Sequence, residues 1–251
     1  MFSSAWAQKY TKATYQIGGG TTDVLDTYLS QERFSGEGLT ILSTAETVQM
    51  GKHWRTLVEH QVNLAEVEDN SGLREEMQGD YTLLYGRLRH WQLTDSWTLQ
   101  AGAMAVGNLG FIYNMSNSNN PAQARLSLAV MPTATTTKSF RLLRRGWNLR
   151  YELNVPLMGV MFSPNYGQSY YEIFSLGNYD HNVVPTTFVN APSLRQQLSL
   201  SCDLFRNTTL QVGYLGDYQQ AKVNNLKSHV FSHRLMLGVV VRFSKQSIAN
   251  D

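Results

Sequence analysis

A chain of 251 residues with a formal charge of +2 has room for one large domain and lacks the basic excess that would point to nucleic acid. Its single cysteine, Cys202, excludes an internal disulfide and a cysteine-based zinc cluster. Nowhere do about 20 apolar residues run together, as a spanning helix requires; the longest run, Leu235 to Val241, is interrupted by Gly238.

At the start, Met1 to Ala7 reads MFSSAWA. Ala5 and Ala7 match the small-residue cleavage pattern of a secretory signal. The expected division is a residual signal end over 1–7, a mature start near Gln8, a barrel over 8–243 and a periplasmic tail over 244–251. From Tyr10 onward the dominant period is two, the signature of strands with two unlike faces. Trp147, Leu149, Tyr151, Leu153 and Val155 alternate with Asn148, Arg150, Glu152 and Asn154. Leu198, Leu200, Cys202 and Leu204 alternate with Gln197, Ser199, Ser201 and Asp203.

The pattern predicts about ten strands, at 10–19, 36–50, 53–67, 79–93, 96–113, 122–137, 146–157, 194–205, 208–220 and 229–243; pairing inside 158–193 would raise the number to twelve. Four connections are tight, at Gly51-Lys52, Thr94-Asp95, Lys138 to Arg145 and Arg206-Asn207. The long ones are Gly20 to Ser35, Glu68 to Gln78, Asn114 to Pro121, Met158 to Ser193 and Gln219 to Ser228. Strict alternation of tight and long connections is the habit of an up-and-down transmembrane β-barrel, with short periplasmic turns and long extracellular loops. A soluble β-sandwich or lipocalin-like barrel also alternates, but its turns need not sort by length.

Trp54, Trp91, Trp97 and Trp147 fall near tight connections, as do Phe140, Phe205 and Phe243. Tyr81, Tyr113, Tyr218 and Phe231 mark the other end. Two such girdles suit the two interfaces of a bilayer. Arg87 and Arg89 share a parity with Tyr81, Leu83 and Tyr85, which predicts a bulge or a shifted register within 77–93.

On the inward parity stand Glu46, Arg55, Glu59, Arg125, Arg150, Glu152, Asp203, Arg234 and Arg242. A lumen of about ten strands is narrow. Nearly balanced charge inside it suits a hydrogen-bonded ladder, whereas a selective pore favours one sign. The six histidines do not form the H-E-x-x-H arrangement of a metal site. Asp180-His181 could supply two members of a hydrolytic triad, but no G-x-S-x-G nucleophile turn is present. Glu66, Glu68, Asp69, Glu75, Glu76 and Asp80 lack calcium-loop spacing and suit a solvated loop. Gly18-Gly19-Gly20 lacks the Lys and Ser/Thr of a phosphate loop. No metal or cofactor is expected.

The long connection 158–193 carries Tyr166, Tyr170, Tyr171, Phe174 and Tyr179 among several asparagines. Ser169 to Leu176 could form a helical turn. Rings and amides together make either a cap packed on the barrel or a surface for a protein or glycan.

Three groups of residues carry a family resemblance: Leu25 to Ser30 with Phe34-Ser35-Gly36; Gly110 to Asn114 with Asn119 to Ala122; and Pro156 to Val160 with Ser169 to Phe174. They resemble an uncharacterised family of Bacteroidota outer-membrane β-barrels, classed as a domain of unknown function. The resemblance implies an outer-membrane location and supplies no activity or catalytic residues. The tail SKQSIAND departs from barrels that end on an aromatic residue.

The expected function is therefore that of an outer-membrane barrel with an occluded lumen, acting as a structural or interaction component. Its partners would be outer-membrane lipid and another outer-membrane protein, a surface lipoprotein or a glycan. The alternatives are a narrow, porin-like passive channel and a surface enzyme hydrolysing lipid or peptide.

Overall fold

A computed structural model describes residues 9–117, 121–205 and 208–244. The elements are β1 (Lys9–Asp26), β2 (Phe34–Gln49), β3 (Trp54–Asp69), β4 (Glu75–Thr94), β5 (Trp97–Asn114), β6 (Ala122–Leu142), β7 (Arg145–Asn154), β8 (Met158–Phe162), α1 (Tyr170–Phe174), β9 (Val183–Thr187), β10 (Leu194–Phe205), β11 (Thr208–Val223) and β12 (Leu226–Ser244). Ten strands close a ring of antiparallel neighbours, with β5 joined to β6, β7 to β10, and β12 back to β1. β8 and β9 stand outside the ring as a short hairpin on β6.

The two faces of the wall are inverted relative to a water-soluble protein. On β3, Gln61 and Asn63 point inward at 0% and 3% exposure, while Val62 and Leu64 point outward at 36% and 50%. β12 repeats the pattern, with Arg234 and Ser232 buried and Leu235 and Leu237 exposed. Strict alternation produces this because successive side chains of a strand leave on opposite faces. The outward histidines His60 and His233 do not stand as isolated polar groups. His60 Nδ1 lies 2.7 Å from the Tyr81 hydroxyl, and His233 Nδ1 lies 2.6 Å from that of Tyr214.

Four expectations need correction. First, the connection 219–228 is no long loop: β11 runs to Val223, β12 starts at Leu226, and Asn224 and Asn225 make the turn at φ 50° and 61°. Asparagine tolerates this left-handed conformation, which matches the twist of a two-residue hairpin. The alternation of short and long connections therefore fails at this point. Second, β1 continues past Gly20 to Asp26, because β2 and β12 pair with it on both sides. Third, the β3–β4 register is unbroken from Glu75 to Arg89 and the β4–β5 register from Glu76 to Gln92, and among the described residues the only shift on β4 comes later, between Gln92 and Thr94. Arg87 and Arg89 simply point outward near the short-turn rim, where their guanidinium carbons lie 5.7 Å from the Trp54 ring and 5.5 Å from that of Trp91. Fourth, the connection 138–145 shrinks to Leu143 and Arg144, because β6 extends to Leu142.

Lys138 repeats the rim arrangement, 5.5 Å over Trp97. Each of these cations keeps its charge at the rim while its stem lies along an aromatic ring. The signal end 1–7, the turn Arg206-Asn207, the Phe205 side chain, Asn119-Asn120 and the tail from Lys245 lie outside the described residues.

Candidate functional site

Inward-facing side chains fill the ring in layers. At the short-turn end is a vestibule of about 670 Å³ lined by Lys12, Glu46, Arg55, His90, Arg150 and Arg242, among others. Glu46 accepts from Arg55 Nη1 at 3.0 Å and from Gln100 Nε2 at 3.0 Å, with Arg150 Nη1 3.9 Å away. Deeper in, Arg150 Nη2 reaches Glu152 Oε2 at 2.7 Å. Arg195 then ties three strands together: Nη2 to Glu59 at 2.8 Å, Nη1 to Glu152 at 3.2 Å, and Nε to Gln61 Oε1 at 3.0 Å.

Above this knot, Gln61 donates to Asp217 at 3.0 Å and Asn63 donates to Asp80 at 3.0 Å. Arg234 is satisfied without a carboxylate, through Thr40 Oγ1 at 3.2 Å, Thr22 Oγ1 at 2.6 Å and the carbonyl of Thr21. Gly38 makes room for it, since a methyl group there would collide with the Arg234 guanidinium. At the long-loop end an apolar plug of Val24, Leu29, Phe34, Ala65, Val67, Ile112 and Val230 fills the bore. Opposite charges packed in this way offset one another's desolvation only while every partner is present.

Glu46, Arg55, Arg150, Glu152 and Glu59 thus belong to one network. Arg234 sits apart among threonines. Arg125 lies higher, with Nη2 donating to Gln219 at 3.1 Å. Asp203 accepts from Thr209 Oγ1 at 2.6 Å near the short-turn rim, and Arg242 lines the vestibule. The residue that knots the network, Arg195, is not among the charges that parity singles out, nor are Lys12 and Asp217, and Asp80, expected in a solvated acidic loop, is instead buried on the inward face of β4. The signal was present, because Arg195 shares its parity with Gln197, Ser199 and Ser201.

The segment 158–193 folds over the long-loop end. Ser169 caps α1 in a reciprocal box with Glu172, and those hydrogen bonds hold the Glu172 carboxyl below the usual carboxylate range. Tyr170 anchors the cap: its hydroxyl donates to Gln123 Oε1 at 2.8 Å and accepts from Ala124 N at 2.7 Å. Its ring meets Tyr28 edge-on at 5.8 Å and stacks on Phe174 at 5.9 Å. Burial pushes the Tyr170 phenol up. Asn182 and Gln168 brace the interior of the loop, and Asn224 Nδ2 donates to the carbonyls of Ser163 at 3.1 Å and His181 at 2.9 Å. Tyr166, Tyr171, Phe174 and Tyr179 remain exposed at 63–70%.

His181 Nδ1 lies 2.7 Å from Asp180, both at the surface, and no serine oxygen is hydrogen bonded to His181 or His233 among the described residues. The acidic stretch divides between the two faces, and Asp69 caps its own turn through Ser71 and Leu73. Among the described residues no cluster of three or more His, Cys, Asp or Glu is placed to hold a metal.

The family model described as "Protein of unknown function (DUF3316)" matches residues 3–249. The chain belongs to this family. No curated protein matches this DUF3316 member. Among solved structures, it is similar to Neisserial surface protein A (11% identity, 94% of this chain and 97% of that one, TM-score 0.36). It is also similar to Ail, the attachment invasion locus protein of Yersinia pestis (10%, 95% and 100%, 0.35), and to the outer membrane protease OmpT of Escherichia coli (6%, 98% and 99%, 0.45).

Proposed function

We propose that this chain is an integral outer-membrane barrel of a Gram-negative bacterium, of the Bacteroidota by the resemblance above, that does not conduct, does not catalyse, and presents its cap to a partner. The membrane location is supported by the inverted faces and by the tryptophan and cation level at one rim. The interaction role is carried by one contrast: a bore filled by the Arg195 knot and the Phe34 plug lies beneath a braced cap with four exposed rings. Aromatic groups on a rigid support are what binding surfaces use. The partner is another outer-membrane protein, a surface lipoprotein or a glycan.

The test places a photo-crosslinking residue at Tyr171 in native outer membranes. Adducts with a second molecule support the reading; recovery of the bare chain alone refutes it. The vestibule favours a narrow channel as second reading, which conductance steps in a planar bilayer would support.

A further inference from the structure

The wall is stitched unevenly. The β7–β10 ladder ends at the pair Asn154–Arg195. Above it β8 takes up the edge of β6, with Met158 to Met161 opposite Val130 to Ser127, and β9 pairs only with β8. The β10–β11 ladder starts at Leu194–Tyr218, so among the described residues β11 has no strand partner on that side beyond Tyr218. Segment 188–193 crosses the gap with isolated bonds: Lys222 N to Asn190 O at 2.7 Å and Gln220 N to Ser193 Oγ at 3.4 Å. Pro156, with no N–H to offer, stands where the β7 line breaks.

Behind this gap is a cavity of about 130 Å³ whose apolar lining includes Leu84, Val106, Ala129, Met131, Leu157 and Met161. Leu157 is 46% exposed, so the lining reaches the outer surface. Arg125 also lines it. Its Nη2 is spent on Gln219, while Nη1 is buried without a partner. Among the described residues no carboxylate lies within ion-pair distance of Arg125. Asp217, at the same cavity, already accepts from Gln61 and Gln219. Arg125 as a whole is half-buried, but its Nη1 is a sealed cationic donor lacking an acceptor, which is costly, and an anion in the cavity met by a turn of the guanidinium removes the cost.

We propose that this cleft binds a medium-chain fatty acid, its carboxylate on Arg125 Nη1, the first part of its chain in the cavity, and the remainder leaving through the gap. The volume compares with the roughly 150 Å³ apolar cavity that admits benzene, so about six carbons are housed; the two chains of a phospholipid do not fit. The inference rests on the membrane reading, because the lipid phase delivers the ligand.

The test titrates the full chain in phosphatidylcholine nanodiscs with decanoate by calorimetry, against empty nanodiscs and against decanol. Saturable decanoate binding is expected. Arg125→Gln should weaken it at least tenfold and leave decanol unchanged, and Ala129→Phe should abolish both. Absence of saturable binding, or an Arg125→Gln variant that binds decanoate as well as the parent, overturns the proposal. Should Ala129→Phe fail to fold, a diazirine-bearing decanoate on the parent chain decides: labels on 129–131 or 157–161 support the cleft, and labels elsewhere overturn it. Recovery of the chain outside the outer-membrane fraction would instead refute the membrane reading.

Discussion

Replacing Arg195 with glutamine removes one cation that holds two carboxylates on different strands. Glu59 and Glu152 are each 1% exposed and lie 2.8 and 3.2 Å from the guanidinium. Loss of one partner from a buried ion pair costs about 3–5 kcal/mol, because the remaining charge keeps its desolvation and loses its compensation. Arg150 still compensates part of Glu152, whereas no other salt bridge reaches Glu59 among the described residues. We therefore expect Arg195→Gln to lower stability by about 3–5 kcal/mol, most of it through Glu59. Urea unfolding in lipid vesicles, followed by heat-modifiable migration, measures this. The double variant with Glu59→Gln should recover about 1–3 kcal/mol, since it removes the stranded charge. A single-variant loss within about 0.5 kcal/mol, or an additive cycle, would refute the idea that the knot is a coupled unit.

Gly38→Ala should cost about 1–3 kcal/mol by overpacking, because the added methyl meets the Arg234 guanidinium; unchanged unfolding would mean that Arg234 moves aside freely. Asn224→Val puts a β-branched side chain at positive φ and breaks the tie to the cap, so limited proteolysis within 164–181 should accelerate while the barrel stays resistant. The depressed Glu172 carboxyl stabilises the capping box above the ordinary glutamate range and loses this contribution as pH falls through its lowered value. Amide exchange across 169–176 should therefore rise in acid, and Glu172→Gln should flatten that dependence. Arg89→Glu sets an anion beside Trp91 at the short-turn rim and should slow insertion into anionic vesicles more than into neutral ones, measured by the rate of heat-modifiable folding.

The wall was legible because alternation encodes it directly. Leu149 and Leu153 exchange places with Arg150 and Glu152 in sequence as they do in space. Parity carries no height, however, so Arg87 and Arg89 looked like a register fault when they are rim cations over tryptophans. Composition misled at 219–228, where a run of polar residues is strand up to a two-asparagine turn. Pairing inside 158–193 was open in the sequence, but the bounds of the β8–β9 hairpin and its place outside the ring were not legible, because it is only five residues a side and is flanked or entered by Pro156 and Pro185. At the candidate site, the nine charges read from parity all sit on inward positions, but which of them touch depends on strand stagger. Arg195 meets Glu59 across the bore, a contact that no local pattern contains.

The joint between the first and last strands is among the most continuous in the ring, running from Tyr10–Ser244 to Asp26–Ser228. A cylinder under lateral load opens where its ladder is shortest, and here that is the β7–β10 seam beside Asn154, three strands away from the joint. Thermal breathing and mechanical pulling should therefore part β10 from its neighbour before the termini separate, so the molecule can widen at one flank without coming undone.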